Sequence, residues 1–223
     1  MGPATAQLLV LAKEPRPGRV KTRLVPALRP HQAAAVARAA LADTLAVVAA
    51  VPVARRTVVL EGAAGDWLPG GVGVLPQRGG SLGARLEGAF CDAHRALPVP
   101  MLLVGMDTPQ LTPALLTAAL DALLSPGTDA VLGPADDGGW WALGLRAPVP
   151  GLFDGVPMST SGTGAAQHAR LDALGLRTAG LPPLRDLDHV GDIAVVAALQ
   201  PVGARLPALA ARLGLLTAAT LPR

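Results

Sequence analysis

Short apolar runs alternate with helix-patterned stretches along the whole chain, and no other feature constrains the fold as tightly. A strand covered on both faces reads as an unbroken apolar run. Such runs separated by helices mark β-α units stacked around a mostly parallel sheet. Strands are predicted at 7–11 (QLLVL), 57–60 (TVVL), 72–75, 101–104 (MLLV), 130–132 and 178–181, with 140–143 returning antiparallel. Helices are predicted from 31 to about 50, from a Ser81 cap to about 97, from Thr112-Pro113 to about 124, near 165–174, and twice more before the end. Thr112 supplies a capping hydroxyl, and Pro113 suits the first helical position, where no N–H is needed. The 223 residues suffice for one good core and are few for two. One mixed α/β domain is therefore expected, with its core at about 6–200 and a helical tail at 201–223.

Apolar residues make up 51% of the chain, and Gly and Pro are scattered without period, which excludes disorder and collagen-like repeats. The pI of 10.0 reflects little more than the absence of Tyr and a single Cys, because the formal charge is only +3. With aromatics at 2%, a nucleic-acid-binding face is not expected. Charge distribution says more. Two of the 19 basic residues are lysines, Lys13 and Lys21, and both lie in one short segment with Arg16, Arg19 and Arg23. A lone Cys91 argues for a reducing compartment. The first apolar run is too short for a signal peptide, and the Ala-rich stretch at 41–53 reads as a core-facing helix. The expectation is a cytoplasmic protein without a membrane partner, a homodimer being left open.

Four segments carry chemistry. AKEPRPGRVKTRL (12–24) follows the first strand, where open α/β sheets bind ligands outside the carboxyl ends of their strands. It is long for a β-α turn. Gly18 lets backbone approach an anion, and five cations surround it, as a di- or triphosphate requires. It is neither a Walker A loop nor a dinucleotide GxGxxG. The alternative is a solvated basic loop. In VGMDTPQL (104–111), Asp107 directly follows a buried strand and is placed to hold Mg²⁺ or Mn²⁺, or else to form an Asx turn. In LRDLDHVGD (184–192), Asp186 and Asp188 alternate and so face one side, where a cation would relieve their repulsion; Asp188 as a helix cap is the competing view. In GPADDGGWWALGL (133–145), Asp136, Asp137, Gly138 and Gly139 form an acidic turn beside the indoles of Trp140 and Trp141, which serve either as a wall beside a substrate or as core. The histidines are dispersed, no GxSxG is present, Cys91 reads as core, and Ser159, Thr160 and Ser161 lie in a loop.

AKEPRPGRVKTRL, GGSLGARL, GMDTPQL, GPADDGGWW and RDLDHVGDI, in that order, resemble a bacterial family of nucleotide-diphospho-sugar transferase-like proteins of the glycosyltransferase A kind, found beside radical-SAM genes. The resemblance reaches to about Ala198, and the first loop is also similar to the K-T/S-R-L loop of 2-phospholactate guanylyltransferases. It implies a three-layer α/β/α sandwich with a mostly parallel mixed sheet. It also implies nucleotide contacts at Ala12, Lys13, Arg16, Gly18, Arg19, Lys21, Thr22 and Arg23, and a base and ribose pocket at Gln77, Gly79, Gly80, Leu82 and Gly83. Asp107 matches the family's metal aspartate, and Asp186 and Asp188 its late acidic motif. Acceptor contacts are expected at Asp136, Asp137, Gly138, Gly139, Trp140, Ser159 and Thr160. Trp140 and Trp141 stand where relatives carry Tyr, which keeps an apolar wall and removes a hydroxyl.

Together these features lead to an expected Mg²⁺- or Mn²⁺-dependent nucleotidyltransferase acting on an NTP and a phosphorylated small molecule, with Lys21, Arg23 and Asp107 catalytic. Glycosyl transfer from an NDP-sugar uses the same residues, and a non-catalytic nucleotide-binding domain is the third alternative.

Overall fold

The computed structural model describes residues 4–216, so the last part of the expected tail, 217–223, lies outside the described residues. A single seven-stranded sheet, in the order β3-β2-β1-β4-β6-β5-β7, forms the middle layer. Its strands are β1 (Ala4–Lys13), β2 (Val53–Glu61), β3 (Gly73–Pro76), β4 (Met101–Gly105), β5 (Ala130–Pro134), β6 (Trp140–Leu145) and β7 (Thr178–Gly180). Every neighbouring pair is parallel except those of β6, which opposes both β4 and β5. The helices are α1 (Pro30–Ala50), α2 (Leu82–Ala96), α3 (Pro113–Leu124), α4 (Thr163–Ala173), α5 (Val190–Ala198) and α6 (Arg205–Arg212).

Alternation along the strands builds two cores. Leu8 and Val10 point to one face, where Leu41 and Leu45 of α1 and Leu116 and Leu120 of α3 cover them. Leu9 points to the other, with Leu86 and Phe90 of α2 and Leu171 of α4. This is the three-layer sandwich. Helix α1 is long and apolar enough to cross a membrane by length and composition, yet 67% of its most apolar window is buried inside the protein. It is apolar all round because both sides are covered. Its second side packs Ala33, Val36 and Ala39 against Ile193 of α5 and Leu206 of α6. The tail's first part is therefore docked, with the Asp43 carboxylate accepting from the N–H groups of Arg205 (2.9 Å) and Leu206 (2.8 Å).

The expected elements all form. The Thr112 hydroxyl accepts from Leu115 N and the Ser81 hydroxyl from Ala84 N, so both helix starts are capped as read. β1, β2, β4, β5 and β6 run longer than their apolar runs, while β3 is as long as its run and β7 one residue shorter. β2 begins at Val53 because Arg55 and Arg56 pair with β1 through their backbone, which no hydropathy pattern records.

Candidate functional site

The loops after β1, β4, β5 and β7 all leave the same edge of the sheet, since those strands run in one direction. β1 and β4 are neighbours, and the chain departs from them toward opposite halves of the sheet. A crevice between the two loops is the natural ligand position in such a fold. Within this edge, the loop after β1 is anchored by buried Val20 and Leu24 on either side of Lys21. Gly18 (φ 76°) and Lys21 (φ 49°) both adopt positive φ, and for a residue with a Cβ that is a strained backbone.

Backbone hydrogen bonds draw the acidic loops to this point. Leu187 N donates to Asp107 O (2.9 Å), Leu184 N to Pro134 O (3.1 Å) and Asp136 N to Leu184 O (2.9 Å). The Gln110 amide donates to Arg185 O (2.6 Å). Asp192 accepts from the N–H groups of Asp188 and His189 at the start of α5, so Asp188 is not the helix cap.

Lys21 is the hub. Its Nζ lies 2.7 Å from Asp107 Oδ1 and 3.2 Å from Asp188 Oδ1, and it also donates to the carbonyl of Leu187. The side chain is only 5% exposed. Arg23 holds the other oxygen of Asp188 at 2.6 Å. Burial works against the Lys21 ammonium, but Asp107 and Asp188 outweigh it and hold its pKa above the usual lysine value. Burial likewise raises the Asp188 pKa, and Lys21 and Arg23 overcome it, so the net shift is downward. Asp186 behaves differently. Burial first, then the charges of Asp107 and Asp137, push its pKa up to about 8; Lys21 opposes this and Asp188 adds to it.

Asp137, expected beside the acceptor, thus belongs electrostatically with the other aspartates, because the turn at 135–139 is pinned to Leu184 through Ala135 and Asp136. The donor chemistry, all carboxylate oxygen, fits a hard divalent cation, whose charge would relieve Asp186. Among the described residues no three His, Cys, Asp or Glu side chains close on one ligand point. The ammonium of Lys21, not an acid, stands between Asp107 and Asp188.

The other expected nucleotide contacts divide. Lys13 pairs with Glu61 (3.5 Å) and Arg16 with Glu14 (2.7 Å), so of the five loop cations Arg19 alone lacks an acidic partner among the described residues. The Gln77 amide donates to Ala12 O (2.8 Å) and Val59 O (3.0 Å) and braces the ends of β1 and β2. Leu82 packs on the α2 core, and Gly83 backs against Phe153. Gly79 and Gly80 remain in the exposed turn before them, and Ala12 and Thr22 flank the loop.

The two segments expected beside the acceptor meet. A Cβ on Gly138 would lie 2.0 Å from Ser161 O, and Gly164 N donates to Gly138 O. Ser159 has a positive φ of 61°, and the Thr160 hydroxyl accepts from Gly162 N (3.2 Å). Trp141 is core: it is buried over Gly133 and its Nε1 donates to Pro182 O (2.9 Å). Trp140, half-buried on the opposite face, keeps an enclosed Nε1 with no partner among the described residues. The carbonyl of Leu187 went unseen in the sequence because a backbone acceptor carries no residue signature.

The family described as an uncharacterized protein conserved in bacteria (DUF2064) matches residues 32–160, more than half of the chain. No curated protein matches. Among solved structures, one from Desulfovibrio desulfuricans G20, provisionally assigned as a nucleotide-diphospho-sugar transferase, is 26% identical over 93% of this chain and 94% of that one, with a TM-score of 0.83. A cytidylyltransferase from Leptospira borgpetersenii shares 11% identity over 98% and 99% of the two chains at a TM-score of 0.57. A CMP:2-keto-3-deoxy-manno-octonic acid synthetase complexed with CTP shares 13% over 87% and 98% at 0.52. The last two likenesses are of fold.

Proposed function

The chain belongs to the DUF2064 family, and from that footing we propose that it is a divalent-cation-dependent transferase that works on a nucleotide. The observation that carries this reading is the meeting of Lys21 with Asp107 and Asp188 at the sheet edge where β1 and β4 part. Phosphate-binding cations and cation-binding carboxylates stand there within one side chain of each other. The nucleotide-using enzymes that share the architecture support it.

The reaction we favour is nucleotidyl transfer. An oxygen of a phosphorylated acceptor attacks the α-phosphorus of an NTP, the bond from that phosphorus to the bridging oxygen breaks, and pyrophosphate leaves. Arg19, Arg23 and Lys21 offset the charge that accumulates, a class of interaction worth about 10²–10³ in rate per donor. Asp107, Asp186 and Asp188 would hold Mg²⁺ or Mn²⁺, which supplies further charge neutralisation at the phosphates. The turn at 136–139 and the loop at 159–160 would flank the acceptor. Glycosyl transfer from an NDP-sugar is the second reading, favoured by the provisional assignment of the Desulfovibrio relative.

One experiment separates them. The protein is incubated with Mg²⁺ and each common NTP, or with UDP- and GDP-sugars, and thermal stabilisation is read. Stabilisation by an NTP supports nucleotidyl transfer. Stabilisation by NDP-sugars alone replaces it with glycosyl transfer, and stabilisation by none overturns both.

A further inference from the structure

Resting on that reading, we infer that Lys21 is a tethered cation that holds the carboxylate site shut, and that an arriving divalent cation expels it and frees its ammonium for the nucleotide phosphates. An ammonium has three N–H donors. Those of Lys21 face three acceptors: Asp107 Oδ1, Asp188 Oδ1 and the carbonyl of Leu187. No donor is left for a phosphate, and the side chain is almost wholly enclosed. Lys21 therefore cannot contact a nucleotide without first releasing these partners.

A divalent ion would force that release. Held by these carboxylates, it would compete for the oxygens that Lys21 now holds at 2.7 and 3.2 Å. Two like charges on the same oxygens repel strongly, so the ion and the ammonium exclude one another. Arg23 stays on the other oxygen of Asp188, so that carboxylate keeps one partner after the exchange.

The backbone fits a poised side chain. Lys21 and Ser159 are the two non-glycine residues with positive φ among those described. A strained conformation of this kind persists where surrounding contacts over-determine it. Buried Val20 and Leu24 pin the loop on both sides, so the exchange needs the Lys21 side chain to swing and leaves the loop in place.

Composition makes the test clean, because Lys13 and Lys21 are the chain's two lysines and Lys13 is half exposed. The full chain is acetylated briefly with acetic anhydride, with and without MnCl₂ and with no nucleotide, and each lysine is followed by mass spectrometry. Lys21 is expected to be slow to label without Mn²⁺ and to speed up at least about fivefold with it, while Lys13 stays constant. In a parallel Mn²⁺ titration, Lys21→Met is expected to bind the ion at least about fivefold more tightly than the natural chain. Should Lys21→Met fail to fold, labelling of the natural chain decides alone. If Mn²⁺ binds but Lys21 labelling does not change, or Lys21→Met binds it no more tightly, the tethered-cation idea is overturned and the cation-dependent reaction stands. If Mn²⁺ binds neither protein, with or without NTP, both fall.

Discussion

The peptide N–H of Leu187 donates to the carbonyl of Asp107 at 2.9 Å, stitching the loop after β7 onto the loop after β4. This bond lays Asp186 and Asp188 beside Asp107, with Leu187 itself turned into the core formed with α1, α5 and α6. Asp107 is one of the three carboxylates that would hold the divalent cation in the proposed reaction. Asp107→Asn should remove most of the thermal stabilisation that Mg²⁺ and an NTP give together, whereas the control Asp121→Asn, on the exposed side of α3, should keep it. Melting of both variants with and without Mg²⁺ and an NTP decides it.

Asp186 should make the protein less stable as pH rises. Its carboxyl pKa in the folded chain is raised to about 8 from an ordinary 3.8, by burial first and by Asp107 and Asp137 next. Between those values the folded chain keeps a proton that the unfolded chain has lost, so raising the pH across that window favours unfolding. Thermal unfolding followed from pH 5 to pH 8 should therefore show Asp186→Asn losing less stability than the natural chain. An equal loss in both would refute the assignment.

The exposed pair Asp129–Arg177 carries the opposite sign. Side-chain hydrogen bonds from Arg177, then one from its backbone N–H, lower the Asp129 pKa to about 2. Stability from this pair is present above the ordinary aspartate range and is lost as pH falls toward about 2. Arg177→Ala should move the acid-unfolding midpoint to higher pH, read by circular dichroism.

Two glycines with positive φ separate strain from collision. At Gly138 (φ 88°) a methyl group would press into Ser161 O, whereas at Gly18 (φ 76°) it would meet open space. Gly18→Ala should cost only the backbone term of about 1–2 kcal/mol. Gly138→Ala should add roughly 1–3 kcal/mol of overpacking to it. Denaturant melts of the two variants test the ordering.

Asp43→Ala should loosen the C-terminal helix. The buried carboxylate caps two N–H groups at the start of α6 and lies 3.4 Å from the Gln200 amide, so its loss should cost about 1–3 kcal/mol. Faster tryptic cleavage at Arg212, with the rest of the chain intact, is the expected readout.

Much of the fold was legible before any coordinates. Local signals travel with local residues: the run at 101–104 is a strand because every side chain in it is apolar, and Thr112-Pro113 starts α3 because a hydroxyl and a missing N–H suit that one position. The same signals put the charged segments at 12–24, 104–111 and 133–139 at strand ends. Which half of the sheet each strand joins is another matter, as is the insertion of β6, expected to run antiparallel, between β4 and β5. The pairing of Lys21 with acids, the entry of Asp137 into the carboxylate cluster and the inward turn of the Gln77 amide likewise appear only in three dimensions. Periodicity is a property of neighbours in sequence, so the chain by itself determined its elements and their order. Contacts such as Lys21–Asp188 depend on strand register and loop closure across most of the chain's length, and these only the tertiary structure decided.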